Sequence, residues 1–252
     1  MSTLPKKVQN KVEYGFDKKL HFHYLMINGV KQPLTGCTTV LNIVSKPALI
    51  QWSANMTAEY VIDNFEEGCD LEALCKEAKT AHRKRKENAG DYGNMVHDTI
   101  SEIIKDVIDN SEGFIRSGKN PNKSIQNFIE WAVDNKVEFL ETEKNIWSEK
   151  YFLGGIVDFV CRIDGQIFIG DIKTAKSGIY AENLWQCSGY DIMANDMGLS
   201  WAKDIKGYVI LNLKESGEFL EKRSSSTEEH KKAFMACLEI YRQKEKTTNQ
   251  II

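Results

Sequence analysis

Apolar and polar residues alternate with two different periods in this chain, and the first half contains both. Residues 20–44 predict short strands, in which the run HFHYLMING ends in the hairpin pair Asn28-Gly29 and a Thr-rich stretch follows. Residues 47–86 change to a mostly helical pattern. A sheet element therefore precedes a helical segment.

The clearest amphipathic helix is predicted over 94–109. Its apolar positions recur at the spacing of one helical face: Val96, Ile100, Ile103 and Val107. The later elements are predicted in this order: a helix ending at about Glu141, two strands within 152–176, a helix at about 181–197, a hairpin at 206–223 and a helix at 227–244. This mixture predicts an α/β (α+β) fold with a central mixed β-sheet flanked by helices.

Length and composition favour a single domain. The chain has 252 residues, of which 42% are apolar, so we expect one domain over 1–252 with an elaboration at about 1–90 and a core at about 91–244. No run approaches the ~20 apolar residues of a membrane helix, and the N-terminus lacks the apolar segment of a signal peptide. We therefore expect a cytoplasmic protein without a membrane partner, whose six scattered cysteines stay reduced.

A net charge of −3 means that any nucleic-acid binding depends on a local basic surface. The run Arg83-Lys84-Arg85-Lys86 is one candidate, although such a run is also typical of a solvated helix face. We expect Arg83, Lys84, Arg85 and Lys176 to contact nucleic acid.

The most informative segment is FLGGIVDFVCRIDGQIFIGDIKTAK, residues 152–176. Two β-branched, apolar runs flank Asp164-Gly165, which is a type I′ turn signature. A two-residue loop sets the register, so that Asp158 faces Asp171 and lies about 5 Å from it at Cβ. Alternation then places Lys173 on the same face as Asp171.

Two opposed carboxylates repel each other, so something must offset their charge. A divalent cation with oxygen ligands does so, and Mg²⁺ typically uses one or two carboxylates plus phosphate and water. The set Asp158, Asp171 and Lys173 therefore predicts metal-assisted phosphodiester cleavage. A DxK sequence alone is also typical of a salt-bridged strand end.

Several of these motifs together resemble the PD-(D/E)XK nuclease superfamily, in particular its RecB-like branch, which includes phage exonucleases and the mitochondrial genome maintenance exonuclease. The resemblance covers residues of about 35–195 and rests on His97 in a helix, GGIVD, GDIKTAK and QCSGY. It implies a restriction-endonuclease-like fold and DNA as the substrate.

The resemblance also implies a role for each matching residue. Asp158, Asp171, the main-chain carbonyl of Ile172 and His97 would bind Mg²⁺ or Mn²⁺, and Lys173 would position water or stabilise the transition state. Gln186 and Tyr190, four residues apart on one helical face, would brace the site or contact DNA. Taken alone, His97 is also typical of a solvent-facing helix residue and Tyr190 of core packing.

An upstream acid is less well defined, because Glu141, Glu143 and Glu149 are all available. Some RecB-like relatives hold an iron–sulfur cluster through one early and three clustered late cysteines, but only Cys237 is late here, so no such cluster is expected. The chain also lacks a Walker A motif, so any helicase partner would be a separate chain.

The sequence thus predicts a stand-alone metal-dependent DNA exonuclease that acts in phage or bacterial recombination, repair or genome processing. A structure-specific or restriction-like endonuclease and a non-catalytic DNA-binding module remain open as alternatives.

Overall fold

The computed structural model describes residues 12–17, 22–110 and 118–248. The first eleven residues, which bear on the expected lack of a signal peptide, lie outside this range. Within the described residues, every helix is too short or too polar to cross a bilayer.

A three-stranded antiparallel sheet begins the described chain, with β1 (Val12–Asp17), β2 (Phe22–Ile27) and β3 (Val30–Pro33) in the order β1-β2-β3. Asn28 and Gly29 connect β2 to β3 with φ angles of 51° and 81°. Both angles are left-handed, as a type I′ turn requires. The predicted Asn-Gly hairpin is confirmed.

The Thr-rich stretch after this sheet differs from the prediction. The strand β4 covers only Thr35–Gly36, and the helix α1 (Cys37–Leu41) replaces the rest of the predicted strand. Cys37, Val40 and Leu41 are buried at helical spacing. Burial of one helical face therefore outweighs the strand propensity of the threonines.

Three helices follow: α2 (Pro47–Asn64), α3 (Leu71–Ala78) and α4 (Ala81–Asp109). The helical prediction for 47–86 is confirmed, but the helix predicted over 94–109 begins earlier, at Ala81. With 29 residues, α4 is about 43 Å long. The division expected near residue 90, between the elaboration and the core of the single domain, falls inside this continuous helix.

Six strands form the central sheet: β4, β5 (Glu138–Ser148), β6 (Leu153–Ile163), β7 (Gln166–Lys173), β8 (Ile205–Leu213) and β9 (Phe219–Ser224). Five of them follow the order β4-β6-β7-β8-β9, and β5 pairs with β6 off this path. The β4/β6 and β7/β8 pairs are parallel and the others are antiparallel. The predicted central mixed sheet is confirmed.

The strand β5 corrects one prediction. The helix expected to reach Glu141 is α5 (Lys123–Asp134), which ends before β5 begins. Lys136, between the two elements, has a left-handed φ of 48°, which is incompatible with a continuing helix.

Helices cover both faces of the sheet and define two cores. The remaining helices are α6 (Ala181–Asp196) and α7 (Thr227–Thr248). One cluster, the α6-side core, includes Val157, Val160, Ile169, Tyr190 and Phe234. The other cluster, the α4-side core, includes Val96, Ile100, Phe128, Phe159 and Ile172.

Candidate metal and active site

The hairpin that carries the two aspartates turns at Asp164 and Gly165, whose φ angles are 50° and 76°. These left-handed values are those of the predicted type I′ turn. The ladder beside it has the predicted register, with these partners: Ile163↔Gln166, Arg162↔Ile167, Cys161↔Phe168, Val160↔Ile169 and Phe159↔Gly170.

The β6/β7 ladder ends one pair short of Asp158 and Asp171. In place of that pair, Oδ2 of Asp158 accepts a hydrogen bond of 2.6 Å from the main-chain N–H of Ile172. Side chains two residues apart in a regular strand lie on the same face of the sheet. Here Val157 belongs to the α6-side core and Phe159 to the α4-side core, so the strand is irregular at Asp158. The expected regular cross-strand pair is therefore corrected to a contact between a side chain and the main chain.

His97 and Glu143 converge on Asp158. One ligand atom of each of the three side chains lies within 4.8 Å of the others. His97 Nδ1 is 3.6 Å from Asp158 Oδ1. Opposite ligands of Mg²⁺ are about 4.2 Å apart, because each bond is about 2.1 Å long. Small side-chain movements would therefore let the three residues share one cation.

Glu143 is the upstream acid that the structure brings to this cluster. Of the two alternatives, Glu141 pairs with Lys144 at 3.0 Å, and Glu149 lies in the turn after β5. Glu143 has a left-handed φ of 47° inside a strand, a conformation that costs an L-residue about 1–2 kcal/mol. Burial and the neighbouring Asp158 carboxylate both raise the pKa of Glu143.

Asp171 and Lys173 form an ion pair beside this cluster. Asp171 is 1% exposed, and burial raises its pKa to about 6, with Lys173 opposing the rise and Asp158 adding to it. Lys173 Nζ donates to Asp171 Oδ1 at 2.9 Å. Nζ also lies 2.7 Å from Oδ2, but outside hydrogen-bonding geometry, so this buried oxygen accepts no hydrogen bond.

The charge of Lys173 is maintained by its neighbours. Burial acts to lower the pKa of Lys173, but the carboxylates of Asp171 and Asp158 raise it more. The net rise keeps the ammonium charged at neutral pH. Lys173 is therefore suited to stabilise negative charge and unsuited to accept a proton.

Gln186 and Tyr190 on α6 continue the network from Lys173. Lys173 Nζ donates to Gln186 Oε1 at 3.3 Å, and Gln186 Nε2 donates to the Tyr190 hydroxyl at 2.7 Å. Both α6 side chains are buried. Burial keeps the pKa of Tyr190 well above its ordinary value. This geometry favours bracing of Lys173 over direct contact with DNA.

Gly93 sets how closely α4 approaches the end of β7. A Cβ at this position would lie 3.1 Å from Thr174 Oγ1, which is tighter than an ordinary van der Waals contact. Thr174 directly follows Lys173, and Gly93 precedes His97 by about one helical turn. Gly93 thus lets the helix that carries His97 approach closely the end of the strand that carries Lys173.

The basic residues lie apart from the cluster. Arg83, Lys84 and Arg85 are exposed on the first turns of α4, and Lys176 is exposed beyond the end of β7. Arg83 precedes His97 by about 21 Å along the helix axis. Binding of nucleic acid by these four residues stays a prediction.

The donor set fits a hard divalent cation. Glu143 and Asp158 offer the oxygen ligands that Mg²⁺ and Mn²⁺ prefer, and the imidazole of His97 is better suited to Mn²⁺. Oδ2 of Asp171 accepts no hydrogen bond but lies in the ion pair with Lys173, and a ligand role for Asp171 stays a prediction. The N–H of Ile172 binds Asp158, whereas a ligand role for its carbonyl stays a prediction.

Comparison of the chain with protein-family models finds no match. Comparison with curated protein sequences also finds no match. The interpretation of the site therefore depends on the geometry of its own residues.

Proposed function

We propose that the protein is a metal-dependent nuclease that hydrolyses DNA phosphodiester bonds, acting as an exonuclease in phage or bacterial recombination, repair or genome processing. The observation that carries the proposal is the convergence of His97, Glu143 and Asp158 within 4.8 Å, beside the ion pair of Asp171 and Lys173. Such a site joins ligands for a hard cation to a fixed positive charge, and metal-assisted phosphodiester cleavage uses both.

The acidic residues and His97 would hold the cation. Glu143, Asp158 and Asp171 supply negative oxygens, and the raised pKa of Asp171 reflects a site where added positive charge stabilises the ionised carboxylate. When bound, Mg²⁺ or Mn²⁺ polarises the phosphate and lowers the pKa of water.

The residues around Lys173 would act on the developing charge. The Lys173 ammonium stabilises the negative charge that grows on the phosphate oxygens in the transition state. Gln186 accepts from this ammonium and is itself held by Tyr190, so the charge stays in a fixed position. Preorganised charge of this kind avoids reorganisation during the reaction.

DNA would reach the site along the exposed basic residues Arg83, Lys84, Arg85 and Lys176. These side chains would neutralise phosphates independently of base sequence. These 252 residues contain no Walker A motif, so we do not assign strand separation to them, and a separate helicase is proposed as a partner.

Digestion of end-labelled linear DNA and covalently closed circular DNA, with Mg²⁺, Mn²⁺ or EDTA, tests the proposal. We expect loss of the linear substrate with either metal, an intact circle and no reaction in EDTA. Lys173→Ala should abolish cleavage, and Lys206→Ala, at an exposed lysine on β8, is the matched control. A nicked circle would indicate an endonuclease, and binding without cleavage would indicate a non-catalytic module.

A further inference from the structure

A second set of side chains lies along β5, beyond Glu143. Asn145 and Trp147 occupy alternate positions, and Ile146 between them belongs to the α6-side core, so both point to the opposite face. The Tyr14 ring stacks on Trp147 with centroids 4.6 Å apart and an interplanar angle of 13°. The Tyr14 hydroxyl donates to Asn145 Oδ1 at 3.0 Å, which fixes the stacked pair.

Trp147 also borders a cavity of about 530 Å³. This volume is within the range of sites that take small organic ligands. The cavity is lined by Trp147, Glu149, Lys150, Phe152, Asp196 and Met197. Trp147 therefore contacts both the Tyr14 ring and this cavity, whose wall contains a second aromatic residue.

That second aromatic residue, Phe152, is 42% exposed and has a left-handed φ of 46°. A bulky residue in this region is an outlier, and it persists only where the surroundings fix it. Here the Phe152 carbonyl accepts from Thr35 N–H at 3.0 Å, and the preceding Tyr151 N–H donates to Ser148 Oγ at 2.9 Å. The turn thus presents an exposed ring on a firmly held backbone.

We propose that Trp147 and Phe152 bind an unpaired nucleobase of the substrate strand, with Tyr14 supporting Trp147 from behind. The proposal rests on the nuclease function proposed above and names its substrate as single-stranded DNA or a frayed end. Aromatic rings take bases by stacking.

The charged side chains that line the cavity favour binding of a base over binding of a phosphate. Glu149 and Asp196 offer two carboxylates, and among the described residues of the lining Lys150 is the cationic one. Carboxylates repel phosphates, but they accept hydrogen bonds from the amino groups of bases. The strand would therefore turn its bases towards β5.

The cavity lies a few nucleotide lengths from the candidate metal cluster. Trp147 is four residues beyond Glu143 on β5, which is about 13 Å along the strand. Stacked nucleotides rise about 3.4 Å each, so this span corresponds to about four stacked nucleotides, and fewer in an extended strand. A strand with its scissile phosphate at the cluster would reach Trp147 a few nucleotides away.

Binding is tested without cleavage, in an Asp158→Asn background with EDTA, by the anisotropy of a fluorescein-labelled single strand. Phe152→Gly and Trp147→Leu should weaken binding about 5- to 100-fold, and Trp147→Tyr should retain most of it. Phe65→Ala, at an exposed aromatic residue after α2, is the matched control. The salt dependence of binding should not change, because no phosphate contact is lost.

Phe152→Gly separates binding from stability better than Trp147→Leu, because glycine adopts a φ of 46° without strain. The melting temperature of this variant should therefore not fall. In the active protein, the ratio of kcat/KM for a single strand to kcat/KM for bis(p-nitrophenyl) phosphate should fall about 5- to 100-fold. Equal affinity of Phe152→Gly and the Phe65→Ala control would overturn the proposal. If the wild type hydrolyses neither substrate, the nuclease function fails, while the anisotropy experiment still decides the base site.

Discussion

The Ile172 main-chain N–H donates to the Asp158 carboxylate across 2.6 Å, at the point where the β6/β7 ladder has ended. This side chain thus replaces a missing main-chain acceptor while its second oxygen, Oδ1, lies 3.6 Å from His97. The Asp158 carboxylate therefore accepts a main-chain hydrogen bond at the end of the ladder with one oxygen and faces His97 of the candidate metal cluster with the other.

The two roles of Asp158 are separable by Asp158→Asn. The amide oxygen still accepts from Ile172, so the melting temperature without metal should stay level or rise, because carboxylate repulsion is also relieved. Cleavage should be abolished, and the rise in melting temperature on adding Mn²⁺ should shrink. Cleavage at the wild-type rate by this variant would refute the assignment of the site.

Asp171 should make the metal-free protein less stable as pH rises. Its folded pKa is about 6 and its ordinary value is 3.8, so the native state binds more protons between these values and the free energy of unfolding falls across that window. Asp171→Asn removes this dependence on pH; it also leaves the Lys173 ammonium without its ion-pair partner, so the slope of stability against pH, and not the absolute stability, tests the prediction. Urea unfolding in EDTA from pH 4 to 7 measures it, with Asp204→Asn at an exposed site as control. A wild-type slope in Asp171→Asn would contradict the prediction.

Lys173→Ala should lose turnover and keep metal binding. Lys173 contacts Asp171 and Gln186 but is not itself a candidate ligand, and loss of one preorganised donor costs about 10²–10³ in kcat. Titration calorimetry with Mn²⁺ and single-turnover cleavage separate the two effects. Loss of the metal together with the activity would show that Lys173 acts mainly by maintaining the ligand set.

His97→Ala should weaken Mn²⁺ binding more than Mg²⁺ binding. An imidazole ligand is softer than a carboxylate, and His97 is the nitrogen donor of the cluster. Activity should fall severely, with little change in stability without metal, since His97 is only partly buried. The measurement is cleavage across a series of concentrations of each metal. Identical metal dependence in the variant and the wild type would exclude His97 as a ligand.

Charge reversal at Arg83, Lys84 and Arg85 should weaken DNA binding and flatten its salt dependence. Each lost phosphate contact reduces the log–log slope by about one unit, so up to three units should disappear. Lys203→Glu, Lys206→Glu and Lys232→Glu, at exposed lysines just before β8, on β8 and on α7, provide the matched change of three charges elsewhere. A slope equal to that of the wild type would identify the run as a solvated helix face.

The hairpin could be predicted because its determinants are local. Asp164 and Gly165 specify the turn, and the turn sets the register as far as Phe159. Local rules could not predict the irregularity at Asp158, on either side of which Val157 and Phe159 pack into different cores. The sequence could not distinguish Glu143 from Glu141 and Glu149 as the upstream acid. The left-handed φ that places Glu143 in the cluster has no signature in the sequence.

The second half of α4 was predicted from its apolar stripe, but its start was not. Gly90 and Gly93 disfavour a helix locally, yet α4 continues through both, and Gly93 allows the close approach of the helix to Thr174. The contact between Tyr14 and Trp147 joins residues 133 positions apart. Pairings at such separations depend on the complete fold.

The left-handed conformation of Glu143 puts stability and activity in opposition at one position. Glu143→Gly would relieve both the backbone strain and the repulsion by Asp158, so it should yield a more heat-resistant protein that has lost one candidate metal ligand. Laboratory evolution for thermal tolerance alone would then discard Glu143 early. Under selection for activity, the same residue should persist and leave the protein less stable than its fold permits.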